Sequence, residues 1–277
     1  MPTSDSLHSL VLHLPIGTTA LSAIFLFVLL RRAASRGFPP HLMWWAIGVF
    51  TYGLGTALES SITLFGNSIP LNKAWYVAGA LLGGYPLAQG SVYLLTPRTF
   101  ARATSLITVP IIVALSIAVA LSPVNMTAFH PEKPGGAILV WTWIRWCTPF
   151  LNLYAVTFLI GGAVFSAVHY FVSGRRPRRA AGNVFIALGA TMPGVGGGMA
   201  KAGVVEALYI GELIGIVFIW IGYALCVSQP RIEPTLHIEP KMHAEEQANE
   251  SLNKAPDHPQ PSHAKGIGNA KRAIEGT

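Results

Sequence analysis

The chain reads as an all-α, polytopic membrane protein: a seven-transmembrane-helix bundle with its N-terminus outside the cytoplasm and its C-terminus inside. Three observations predict this. Of 277 residues, 52% are hydrophobic and only 11% are charged, which leaves too little polar surface to cover a soluble globule of that size. Seven apolar stretches each approach the ~20 residues that cross a bilayer. Arginines gather in alternate connections between them, which is how short loops encode topology.

The stretches run approximately 9–30, 42–65, 74–95, 103–122, 147–172, 181–200 and 205–228. Backbone groups in hydrocarbon must be satisfied within their own segment, so helices are expected, and the alternating pattern of a membrane barrel is absent. The first stretch follows a leader without a positive region or a small-residue cleavage site, so it is expected to be retained. The second contains Glu59 within WWAIGVFTYGLGTALESSITLF, and the third carries Pro86 and Gln89, which predict a kink and a polar interior contact. Trp141, Trp143 and Trp146 lead into the fifth and read as an interfacial aromatic belt.

The sixth stretch is the weakest. Its run TMPGVGGGMA combines Pro193 with Gly194, Gly196, Gly197 and Gly198, which predicts a kinked or broken helix packed closely on a neighbour. Without it the count falls to six and the C-terminus changes side. Nine arginines decide for seven: Arg31, Arg32, Arg36, Arg98, Arg102, Arg175, Arg176, Arg178 and Arg179 lie in the first, third and fifth loops, against Lys73, Lys133 and Lys201 in the others. Placing the arginines in the cytoplasm puts the N-terminus outside.

The transmembrane domain thus covers 1–228, and 229–277 changes to a Pro, His, Glu, Lys and Asn composition that is expected to be a disordered cytoplasmic tail. The formal charge of +7 comes with no interleaved basic and aromatic pattern, so no nucleic-acid partner is expected. The expected partners are the lipid bilayer and a membrane or cytoplasmic signalling protein, and the expected location is the inner membrane.

Glu59 is the most informative residue, because an intramembrane carboxyl must face protein or water. Tyr52, Gly55, Thr56, Glu59 and Thr63 recur at three- and four-residue spacing and form one small, polar stripe. Glu212 lies ~12 Å inside the outer end of the seventh stretch and Glu59 ~10 Å inside that of the second, at the helical rise. Lys73, Lys201 and Arg145 stand at similar depth or just above, so a mixed-charge outer cavity is one expectation. The other is that Arg145 snorkels to headgroups and Glu59 sits in a structural hydrogen-bond network.

No cofactor is expected. His13 and His169 fall near opposite ends of their helices, unsuited to one haem, and the seventh stretch has no lysine for a Schiff base. Ser-His-Asp and HExxH patterns are absent, so no enzymatic activity is expected. Cys147 and Cys226 lie too far apart for the ~6 Å Cα separation of a disulfide.

WWAIGVFTYGLGTALES followed by NKAWYVAGALLGGYPLAQGSVYLL resembles the second and third helices of the seven-helix N-terminal sensor regions of some bacterial histidine kinases. The resemblance implies a sensing or scaffold module without kinase activity of its own. The function expected is a non-enzymatic receptor-like protein that takes an outer-side ligand or membrane partner. A proton- or cation-coupled transporter or channel using the intramembrane glutamates, and a structural subunit of a membrane complex, are the alternatives.

Overall fold

Lipid-compatible sequence permits one kind of local structure, and the computed structural model is all-helical apart from an isolated antiparallel bridge between Val124 and Leu139, among the described residues. It describes Val11, residues 13–174 and residues 176–228, with Lys201 described in its backbone only. The expected tail, 229–277, lies outside the described residues.

Helix α1 spans Leu14–Ala34, opens on Pro15 in its first turn and closes on Arg31 and Arg32, a proline and cations at the ends that favour each. Helix α2 spans Pro40–Phe65 and is ended by Gly66, whose φ of 83° is a conformation that suits glycine. Helix α3 runs in three pieces: Ile69–Trp75, a π-helical stretch Tyr76–Leu81, and Tyr85–Leu95. The break over 82–84 stands immediately before Pro86, where the sequence predicts a kink. Helix α4 spans Arg98–Leu121. Helix α5 spans Thr142–Ser173 and contains a second π-helical stretch, Val156–Ile160. Helix α6 spans Pro177–Lys201 and α7 spans Glu206–Val227.

Among the described residues, four helices, α1, α4, α5 and α7, are long and apolar enough to cross a membrane. The pieces of α3 are individually too short. Although α2 and α6 are longer than α1, α2 is diluted by Glu, Thr, Ser and Gly, and α6 by its glycines and opening arginines.

The helices pack as a ring in the order α1, α2, α3, α5, α6, α7, with α7 returning to α1; α4 lies mainly against α3. Phe25, Leu29, Leu42, Val49, Leu87, Ile216 and Ile219 from α1, α2, α3 and α7 make the largest core cluster. The α6–α7 seam is the tightest. A Cβ on Gly189 would come within 2.7 Å of the Gly215 carbonyl, and one on Gly222 within 2.5 Å of the Gly182 carbonyl. This corrects the expected break in the sixth stretch: α6 stays helical through Pro193. The Pro193 ring sits 3.1 Å from where a Cβ of Gly215 would stand, so the small residues that weaken the helix in isolation let α7 support it.

At one end, the segment 122–141 folds back onto the start of α3. Asn67 donates to the carbonyls of His130 and Lys133, and Asn72 donates to that of Gly135. Ile138, Leu139 and Ile144 are buried beneath it with Tyr76 and Val119.

Candidate functional site

The stripe on α2 divides among three neighbours. Gly55 lets α3 approach, since its Cβ position lies 3.5 Å from the Gly79 Cα. Thr56 meets Thr19 of α1 through a 2.9 Å hydroxyl–hydroxyl bond. Tyr52, Glu59 and Thr63, one and two turns apart, turn towards α7, where Tyr209 and Glu212 stand three residues apart on one face.

Glu59 is only 1% exposed. The Trp75 indole N–H donates to its Oε1 at 2.7 Å. Its carboxyl group stands beside that of Glu212. The Tyr52 hydroxyl, two turns along α2 from Glu59, donates to the backbone carbonyl of Glu212 at 2.7 Å and ties α2 to α7. Tyr209 is buried beside both acids and beside Thr63. Oε2 of Glu59 and Oε2 of Glu212 are buried without a hydrogen-bond partner among the described residues.

The structure thus brings together Glu59, Glu212 and Tyr52 among the residues singled out in the sequence. Lys73 is engaged elsewhere: its ammonium donates to the carbonyls of Ala120 and Ser122 at 2.8 and 2.7 Å, closing the C-terminal end of α4. Arg145 is exposed in the opening turns of α5. The side chain of Lys201 lies outside the described residues. Around the acids the structure places two phenols and an indole.

Trp75 and Tyr209 are not singled out by the sequence. Tyr209 carries a signal, three residues before Glu212 on an apolar helix. Trp75 carries none, because a tryptophan near a helix start reads equally well as an interfacial anchor.

A second polar cluster lies further along α3. Gln89 is fully buried and donates to the Ala101 carbonyl, Thr104 and Ser105, while Tyr154 donates to its Oε1 at 2.5 Å. Tyr85 and Thr108 share a hydrogen bond alongside. Every polar atom of the Gln89 amide is satisfied, which marks this cluster as a joint between α3, α4 and α5. Cys147 and Cys226 are free thiols. Among the described residues, no three His, Cys, Asp or Glu side chains group to hold a metal ion.

Comparison with protein families, with curated proteins and with solved structures finds no match for this chain.

Proposed function

We propose that the protein is a non-enzymatic, seven-span protein of the bacterial inner membrane, of sensor or receptor type, with the Glu59–Glu212 pair as its responsive centre in the outer half. One observation carries this reading: acids from α2 and α7 stand side by side inside the bundle, each with a buried oxygen that no described residue satisfies. An acid retained for packing alone is ordinarily neutralised by a cation or fully bonded, as Gln89 is. The resemblance to kinase sensor regions, on the α2 and α3 sequences, points the same way.

The surroundings supply a route for a response. Trp75, bonded to Glu59, is the last residue before the π-helical stretch Tyr76–Leu81, and such stretches are adaptable and recur at functional sites. A change in charge at Glu59 alters the bond that holds Trp75 and so bears on the shape of α3. On this reading, α3 and α7 carry the change towards the arginine turns and a signalling partner.

The test compares wild type, Glu59→Gln and Glu212→Gln in nanodiscs by thermal melting and hydrogen exchange. The receptor reading expects melting within a few degrees of wild type and changed exchange over 76–81 and the arginine turns. A large loss of stability with unchanged exchange elsewhere would make the pair a structural joint. A coupled carrier is the second reading, favoured by the two acids standing on separate helices whose parting would release a bound cation. Proton or sodium flux into proteoliposomes, abolished in Glu59→Gln, would establish it in place of the receptor.

A further inference from the structure

We infer that the groove between the start of α3 and the end of α4 binds one anionic phospholipid of the bilayer, with an acyl chain in the groove and the phosphate at Lys73. The inference stands apart from the Glu59–Glu212 reading.

The groove has a volume of about 430 Å³, within the range of small-molecule sites. Ile69, Pro70, Ala74 and Val77 of α3 and Val119 and Ala120 of α4 make its apolar walls, and Lys73 supplies a charge. Ala74 and Ala120 are both exposed and carry only a methyl group, so the space between the helices stays open. Ile117 and Leu121, also on α4, are large, apolar and exposed, so hydrocarbon is the medium that this part of α4 is built to meet.

The charge is fixed at one end of that apolar surface. The Lys73 ammonium donates to the carbonyls of Ala120 and Ser122 at 2.8 and 2.7 Å, which uses two of its three donors. Both acceptors are neutral, so neither bond cancels the positive charge. Ala120 is at once an acceptor and a wall of the groove, so charge and apolar surface are contiguous. Because α4 closes at Leu121, the ammonium stands at a helix end, the level at which long cationic side chains reach headgroups. The complementary molecule is an amphiphile with a hydrocarbon chain and one anionic end. A soluble anion would leave the apolar walls unfilled, and a zwitterionic lipid would bring a second cation towards Lys73.

Native mass spectrometry of the full-length protein in mild detergent tests this, with phosphatidylglycerol or phosphatidylcholine of identical acyl chains added in turn. Wild type should hold its first phosphatidylglycerol about fivefold more tightly than phosphatidylcholine, the factor that one cation near the membrane surface contributes. Lys73→Met should remove the preference while keeping a chain bound. Ala120→Phe leaves Lys73 and both backbone acceptors in place and fills the groove, so the tight adduct should disappear with either lipid. Ala74→Phe fills it from α3 and should do the same, and thermal melting identifies which variants are folded. Equal affinity of wild type for the two lipids would overturn the site without recourse to any variant. Undiminished phosphatidylglycerol binding in a folded Phe variant would overturn it too. A dimer that persists without added lipid and dissociates in the Phe variants would give the groove to a second copy of this chain in place of a lipid.

Discussion

At the scale of single residues, the chain separates charges that need each other from charges that need only an end. Lys73 illustrates the second kind. Its ammonium reaches two carbonyls at the close of α4, groups that a helix leaves without partners of its own. Lys73→Met keeps the length of the stem and removes the donor. It should lower stability by about 1–3 kcal/mol, the cost of leaving such acceptors without a charged partner. Hydrogen exchange around Glu59 and Glu212 should not change, since Lys73 contacts neither. Thermal melting with exchange at peptide resolution checks both parts, and altered protection at Glu59 would restore Lys73 to the site. The residue scale also explains what the sequence could and could not show. Glu59 stands out because an acid in an apolar helix demands a partner. That its partner is Glu212 depends on α7 closing the ring against α1 and approaching α2, and ring order is a property of packing that one sequence does not carry. The lysines and the arginine at similar depth are equally eligible in the sequence, because depth along a helix says nothing of azimuth.

At the scale of elements, glycine decides which helices approach. In α6, Gly182, Gly189 and Gly196 recur every seven residues and each faces α7 backbone or close side chains, whereas Gly194, Gly197 and Gly198 have nothing within 4 Å of a Cβ. The sequence shows the glycines as a group but not this division, since the weakness of the helix in isolation and the tightness of its seam arise from the same residues. The two classes should behave oppositely on substitution. Gly189→Ala places a methyl 2.7 Å from a carbonyl oxygen and 2.8 Å from a backbone nitrogen of α7, forcing the seam apart at about 1–3 kcal/mol, the usual cost of overpacking. Gly197→Ala meets open space and removes backbone freedom from the unfolded chain, so it should be neutral or stabilise by up to ~1 kcal/mol. Melting of both variants in one detergent provides the comparison. Equal losses would mean that the open face of α6 is also covered by something in the membrane.

At the scale of the whole molecule, the described structure sorts its charges by end. Arg32 lies over the Tyr223 ring near the close of α7, and Cys226 of α7 reaches the Arg179 carbonyl at the start of α6, so the arginine turns after α1 and before α6 share one end. The Asn67 and Asn72 clasp, Lys73 and the 122–141 segment stand at the other, together with Glu59, Glu212 and Trp75. Positive residues remain on the cytoplasmic face of bacterial membranes, so the acid pair should lie towards the outside. Single cysteines decide it. In a chain with Cys147 and Cys226 replaced by Ser and Ala, Glu132→Cys should react in intact cells with an impermeant maleimide, while Ser173→Cys should react only after permeabilisation. Both sites are exposed at their respective ends, so silence reports sidedness rather than burial. Labelling of Ser173→Cys from outside, with Glu132→Cys protected, would invert the molecule and turn the acid pair towards the cytoplasm. The reading of the pair as an outer-side receptor centre would then fail.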